Sequence, residues 1–323
     1  MILAGDIGGT KSRLALFDPG RLEPLRIETY RTAEHESLGA IVQRFLRAAP
    51  AGPIGAAGFG VAGLVEDCSA TGINLPWPVH AHELAEVFEI PVVAMVNDLE
   101  ANARGISLLR PDDFVTINRG RPSAAGNRVV VSAGTGLGDA GLVWDGTTHH
   151  AVAGEGGHMD FAPRTEIEVA LLRHLTGRFG HVSYERVCSG LGILEIYRFL
   201  GGNRSTPADA AAVAAEAAAD PLSIGAHALD LFASIYGAHA GNMALTFMAT
   251  GGVYLGGGIA PKLIDRLAGG SFMAAFLDKG RFAAVMERVP VHVVLNDHAA
   301  LLGAALVAAE RDARHRQRKA VAL

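Results

Sequence analysis

Cysteine is nearly absent: Cys68 and Cys188 are the only two in 323 residues. That excludes a disulfide scaffold, and no Cys/His spacing suggests zinc. An excess of positive charge is missing too. The net charge is −5 and the isoelectric point is near 6.2, which argues against nucleic acid as a partner. The N-terminus has neither a basic stretch nor a long apolar run, so the sequence predicts no secretory signal and a reduced, cytoplasmic setting. Asp, Glu, Lys and Arg are all absent from Leu231 to Pro261, which mimics a membrane span. Gly251-Gly252 and Gly256-Gly257-Gly258 break that stretch, however, and it carries His239 and Asn242. A spanning helix needs about 20 uninterrupted, mostly apolar residues. The stretch therefore reads as a buried helix, a buried strand and a glycine turn, with no membrane as partner.

Half of the residues are hydrophobic, enough for a substantial core, and the length suits one large or two medium domains. The opening segment sets the pattern. An apolar run, Ile2 to Ala4, leads through Gly5-Asp6-Ile7-Gly8-Gly9-Thr10 into the alternating Ser12-Arg13-Leu14-Ala15-Leu16-Phe17. Two such runs around a glycine pair predict a hairpin. The same residues nearly spell a Walker P-loop, but Thr10 stands where the second glycine belongs, and a strand follows where a helix is required. A Rossmann turn fails for the same reason. What remains is a hairpin whose amides can approach a phosphate, with Asp6 placed to hold a hydrated metal ion, or else an ordinary tight turn.

Further along, Glu23 to Tyr30 predicts a third strand. Ser37 to Ala49 predicts a helix capped by Ser37, with Leu38, Ile41, Val42, Phe45 and Leu46 on one face. Strands are expected at Ile54–Val61, Pro91–Val96, Phe114–Ile117, Val129–Ser132 and Val291–Leu295. Ile73 to Pro78 reads as a proline-bound loop and His82 to Glu89 as a short helix. The second half is expected to be largely helical, over Glu166–Leu175, Leu191–Leu200, Ala208–Ala219 and Pro221–Met248. A last helix, Ala299 to Ala309, is followed by an Arg/Lys-rich tail from Arg311 to Lys319, read as a solvated helix end. Ala133-Gly134-Thr135-Gly136-Leu137-Gly138 repeats the strand–glycine turn–strand pattern, which points to two related domains.

Three places carry candidate chemistry. Asn97-Asp98 closes an apolar strand and opens a helix. Asp98 there either caps that helix or acts at the carboxyl edge of a sheet, where ligands bind. Gly154-Glu155-Gly156-Gly157-His158 has Glu-x-x-His spacing, but its glycines oppose the helix that a metal pair would need. Glu155 and His158 side by side on such a loop suit a polyhydroxyl ligand. Glu185, in Tyr184-Glu185-Arg186, reads either as an exposed helix residue or as a further ligand.

These stretches, with Ser189-Gly190 and Gly251-Gly252-Val253-Tyr254-Leu255-Gly256-Gly257-Gly258-Ile259, run in one order over nearly the whole chain and resemble the bacterial glucokinase family of the hexokinase–actin-like superfamily. The segment Gly154 to Pro163 is the most specific of them. The resemblance implies an α/β fold of two actin-like (ribonuclease H-like) domains with a central cleft. The smaller domain would hold residues 1–108 and 299–323, the larger 109–298. The expected activity is phosphorylation of the glucose 6-hydroxyl by Mg-ATP. Asp98 would be the catalytic base. Asn97, Asp98, Glu155, His158 and Glu185 would bind the sugar. Gly5, Asp6, Ile7, Gly8, Gly9 and Thr10 would cradle the ATP phosphates with Gly134 and Thr135. Gly256 to Gly258, Gly257 among them, would meet the adenosine, and Asp6 would hold Mg2+ through water. The resemblance also implies a homodimer.

The related repressor/kinase group carries a cysteine-rich zinc motif near its sugar-binding histidine, and nothing like it occurs here. A sugar-responsive DNA-binding regulator would carry a helix-turn-helix ahead of the first glycine turn, which here begins at Gly5. An actin-like filament ATPase would not need the Glu155/His158 loop. A kinase for another hexose (mannose, fructose or an amino sugar) is the alternative within enzymes.

Overall fold

The computed structural model describes residues 1–48, 52–71, 75–201 and 205–321. Ala49, the predicted helix end, and Ile73-Asn74 of the predicted loop lie outside the described residues. The chain divides into two compact units, Met1–Arg110 with His298–Leu323, and Pro111–Asp297.

In the first unit, β1 (Ile2–Ile7), β2 (Lys11–Phe17) and β3 (Pro24–Arg31) form an antiparallel meander. Helix α1 (Leu38–Arg47) starts where Ser37 accepts a hydrogen bond from the Ala40 amide. Strand β4 (Ala56–Val61) then pairs in parallel with β1. A small sheet of β5 (Leu64–Glu66), β6 (Ser69–Thr71) and β7 (Val79–His80) precedes α2 (Ala81–Val87). Strand β8 (Val93–Asn97) pairs in parallel with β4 and runs straight into α3 (Asp98–Ile106). The sheet order is β3-β2-β1-β4-β8.

Strand β1 is apolar at successive positions because both of its faces are covered. Leu3 and Ile7 share a core with Leu14, Leu16 and the α1 residues Ile41, Val42 and Phe45. Ile2 and Ala4 pack with Ala15, Phe17 and the C-terminal helix residues Leu301, Ala304, Ala305 and Ala308.

That helix runs unbroken from Ala299 to Val321. The predicted end at Ala309 is thus corrected: the basic tail is its continuation. Arg, Lys, Gln, Glu and Ala are all good helix formers, Asp312 pairs with Arg316 at 2.7 Å one turn apart, and cations suit the last turn. Near its start the helix crosses α3 at backbone contact. A Cβ on Gly303 would lie 1.7 Å from the Ala101 carbonyl oxygen, and one on Gly105 would lie 1.8 Å from that of Ala299.

The second unit contains β9 (Phe114–Asn118), β10 (Arg128–Ala133), β11 (Leu137–Trp144) and β12 (His149–Gly154). Helices α4 (Glu166–Phe179), α5 (Gly190–Gly201), α6 (Ala210–Ala219) and α7 (Ile224–Phe247) follow, then β13 (Gly252–Gly256) and β14 (Val291–Val294). The order is β12-β11-β10-β13-β14-β9, with β9 antiparallel on the far edge. Leaving β9 aside, this is the first unit's arrangement again: three antiparallel strands, then two parallel ones. Helix α7 begins at the Ser223 cap and is buried along most of its length, which is why its sequence is apolar on every side. Among the described residues, no helix is long and apolar enough to cross a membrane.

Replacing Gly303 by valine forces backbone away from backbone. The unfolding free energy is expected to fall by about 1–3 kcal/mol, toward the top of that range, since no flexible side chain can yield. A denaturant midpoint equal to that of the wild type would show that the two helices separate without cost.

Candidate active site

In the first unit, β1, β4 and β8 run parallel and end together, with Ile7 paired to Val61 and Val61 to Asn97. Open α/β sheets bind ligands at this carboxyl edge. The candidate residues of this unit fall into two groups there.

Gly5 and Ile7 lie in the strand and are buried; Asp6 and the turn Gly8-Gly9-Thr10 are not. The lack of a side chain at Gly5 makes room for a ring, since a Cβ would sit 2.5 Å from the edge of Phe59. At the tip, the Gly8 amide donates to the Lys11 carbonyl at 3.0 Å, closing the turn. Thr32, just after β3, braces it: its hydroxyl donates to the Gly8 carbonyl at 2.7 Å and its amide to the Thr10 carbonyl at 3.1 Å. Local sequence gives no sign of this brace, because it depends on the register of the meander.

Asn97 takes the capping role that the sequence left open for Asp98. Its Oδ1 accepts from the Leu99 amide at 2.8 Å and more weakly from the Glu100 amide at 3.4 Å, and its Nδ2 donates to the Gly63 carbonyl at 3.0 Å. Asp98 is the first helical residue, half-buried, with Oδ1 within 2.9 Å of the Leu99 amide. A carboxylate here is favoured by the positive end of the helix.

In the second unit the hairpin between β10 and β11 holds the other turn. The Gly134 amide donates to Gly136, and the Gly134 carbonyl accepts from the Gly190 amide at the start of α5. Thr135 is exposed at the tip. Gly257 follows β13 with φ +80°, and a Cβ there would lie 2.2 Å from the Ala133 carbonyl oxygen. Only glycine meets both demands.

Glu185 lies in a 3₁₀ turn, Tyr184–Arg186, and is half-buried rather than an exposed helix residue. Its Oε2 accepts from the Leu137 amide at 3.1 Å, tying this segment to the second glycine turn. Gly136 leaves space for that carboxylate, since a Cβ would sit 2.4 Å from the same oxygen.

The loop after β12 rests on the same turn. Gly157 is buried against it, where a Cβ would be 2.0 Å from the Leu137 carbonyl oxygen. Gly156–His158 forms a single 3₁₀ turn, too short for a helix-borne metal pair. Above this floor Glu155 and His158 point outward, their side chains 68% and 62% exposed, with Oε2 and Nε2 3.8 Å apart. The second unit therefore gathers Gly134, Thr135, Glu155, His158, Glu185 and Gly257 around one turn. Among the described residues, no group of three or more His, Cys, Asp or Glu side chains could hold a metal ion alone.

Two units that repeat one sheet order, with glycine turns at the matching β1–β2 and β10–β11 hairpins, have the architecture of the actin-like phosphotransferases. The family model for glucokinase matches residues 3–311. The glucokinase of Nostoc sp. strain PCC 7120 is 36% identical over 339 residues, covering 96% of this chain and 99% of that one. That of Xanthomonas euvesicatoria is 38% identical over 327 residues, covering 97% and 96%. Among solved structures, a glucokinase from an Antarctic psychrotroph superposes with a TM-score of 0.84 at 31% identity, over 96% of this chain and 98% of that one. The chain belongs to the glucokinase family and is an enzyme of that family. The fold extends further: a repressor/kinase-group glucokinase of Streptomyces griseus, solved with glucose and AMPPNP, has a TM-score of 0.66 at 21% identity over 96% of this chain and 99% of that one.

Gly136→Ala is expected to push Glu185 off the Leu137 amide. One charge-assisted hydrogen bond is worth about 1.5–3 kcal/mol, so kcat/KM for the sugar should fall about tenfold or more. Unchanged kinetics would mean that the carboxylate moves without consequence.

Proposed function

We propose that the enzyme transfers the γ-phosphoryl group of Mg-ATP to the 6-hydroxyl of D-glucose, giving glucose 6-phosphate and ADP in the cytoplasm. The glucokinase relatives at 36–38% identity support the substrate pair. The observation in this chain that carries the mechanism is the division of labour at Asn97-Asp98. Asn97 caps α3, and Asp98, its first residue, sets a carboxylate at the carboxyl edge of the sheet, where it also accepts from the Leu99 amide.

In this reading Asp98 accepts the 6-hydroxyl proton as the oxygen attacks phosphorus and the bond to ADP breaks. Phosphoryl transfer requires positioning and charge neutralisation more than covalent help, so a carboxylate base contributes about 10²–10⁴-fold. Asn97, Glu155, His158 and Glu185 hold the sugar. Asn97 Nδ2 keeps one N–H beyond its bond to Gly63, Glu155 accepts hydrogen bonds, and His158 can do either. A polar site left unpaired by the wrong sugar costs about 1–3 kcal/mol per group, which favours one pattern of hydroxyls.

The turn carrying Gly8, Gly9 and Thr10 holds phosphate through the Gly9 and Thr10 amides, and Gly134 and Thr135 do the same from the second turn. Gly5 and Ile7 support the first turn from the strand. Gly257 lies where the adenosine would meet backbone. Asp6 fits a water-mediated contact to Mg2+, an ion that prefers oxygen donors and keeps much of its water, so a single half-buried carboxylate suffices. When bound, Mg2+ would neutralise charge on the phosphates.

Asp98→Ala should lower turnover by about 10²–10⁴-fold while glucose affinity stays within about tenfold. Turnover that persists removes Asp98 as the base. The purified protein with Mg-ATP should also prefer glucose over mannose, fructose and amino sugars in steady-state assays. Faster turnover of another hexose would keep the mechanism and move the specificity. No phosphorylation of any sugar would favour the actin-like binding or filament reading, although that reading leaves the outward Glu155/His158 pair without a purpose.

A further inference from the structure

Beneath the Glu155/His158 loop lies a buried pair to which the mechanism above gives no part. His239 of α7 is 0% exposed and Asp139 of β11 is 1% exposed, and His239 Nε2 lies 2.9 Å from Asp139 Oδ2. Neither Asp139 Oδ1 nor His239 Nδ1 has a hydrogen-bond partner among the described residues. Such a pair is a poor source of stability. Its desolvation offsets its attraction, and each unpaired polar atom adds to the cost. Asn242 apart, helix α7 is apolar on either side of His239.

What distinguishes the pair is what it touches. Asp139 lies opposite Gly154 in the β11–β12 ladder, and a Cβ on Gly156 would sit 2.5 Å from Asp139 Oδ2. The loop thus rests directly on the carboxylate. The Tyr184 ring lies against the His239 ring, with centroids 4.3 Å apart. Tyr184 precedes Glu185, and its amide donates to the Met159 carbonyl at the end of the loop. Its hydroxyl accepts from Asn242 Nδ2, whose partner oxygen accepts from Lys279 Nζ at 2.8 Å. One buried pair therefore contacts the two segments of the larger unit that carry sugar-binding candidates: Gly156 between Glu155 and His158, and Tyr184 beside Glu185.

We propose that Asp139 and His239 are positioning residues for the sugar, fixing the loop and the Tyr184–Glu185 turn in their binding arrangement and so setting hexose affinity. The proposal rests on the reading of this loop as the sugar site. Residues displaced by about 1 Å from a productive geometry can lose about 10²-fold in rate, which leaves ample room for the effect.

The test uses steady-state kinetics and thermal melting on the full chain. The double variant Asp139→Leu/His239→Leu replaces the pair with apolar groups, an exchange often neutral for stability. It should melt within about 5 °C of the wild type. Its glucose KM should rise about 10–100-fold, with the ATP KM within about twofold. His239→Gln keeps a donor where Nε2 lies and should recover part of the glucose KM. An unchanged glucose KM in the folded double variant would overturn the proposal, as would glucose and ATP KM rising together, which is general loosening. Should the double variant not fold, the same comparison on Asp139→Asn decides. Glu155→Gln, measured alongside, separates the two readings. If it leaves the glucose KM unchanged, the sugar loop itself is misassigned. If it raises the glucose KM and the buried-pair variants do not, only the present proposal fails.

Discussion

Backbone packed against backbone around the turn Ala133–Leu137 is the constraint on which the larger unit's site depends. Gly257 lies against the Ala133 carbonyl and Gly157 against that of Leu137, while Gly136 makes way for the Glu185 carboxylate. Interiors packed this closely transmit displacement instead of absorbing it. Three segments distant in sequence, those of Gly154–His158, Tyr184–Arg186 and Gly256–Gly258, are thereby fixed to one hairpin. The glycines here do two kinds of work. Some form the tips of the turns, where the proposed phosphate contacts lie, while others only permit contact, and the second kind ties the segments together. Gly5 in the first unit belongs with the permissive kind, opposite Phe59.

Much of this was legible from the sequence, where the physics is local. The two strand–turn–strand hairpins follow from alternation around glycines, and α1 follows from Ser37 and its apolar face. The charge-free stretch from Leu231 resolved correctly into a buried helix and a buried strand. The repeated sheet order, with β13 and β14 taking the places of β4 and β8, was only hinted at by the second glycine turn. The C-terminal helix was cut short because a run of Arg and Lys reads as tail. Continuous periodicity could not show that Asp312 and Arg316 pair across a turn or that Glu310 meets Arg104 at 3.0 Å.

At the candidate site, the residues themselves stood out, but their division of labour did not. Sequence placed the capping question on Asp98, and the structure gives that task to Asn97. Sequence left Glu185 between surface and ligand, and the structure bonds it to the Leu137 amide. The Thr32 brace and the Asp139–His239 pair had no local signal at all. Each depends on which residues meet across a sheet or under a helix: 24 positions of chain separate Thr32 from Gly8, and 100 separate Asp139 from His239. The wider comparison carries a related lesson. The S. griseus enzyme shares this fold at only 21% identity, so the scaffold tolerates wide change in sequence.

The division of the chain also bears on how the protein is made. The larger unit is one continuous segment, Pro111 to Asp297, whereas the smaller one joins the first 110 residues to a helix that begins at Ala299. One face of β1 and β4 packs against Leu301, Ala304, Ala305 and Ala308 of that helix. During synthesis those residues leave the ribosome after the whole of the larger unit, about 10–40 s after the first sheet at ordinary elongation rates. The first strands to emerge are thus the last to be finished. Until then one face of their sheet lacks part of its cover, and the interval in which the chain most needs protection from aggregation is written into the order of its elements.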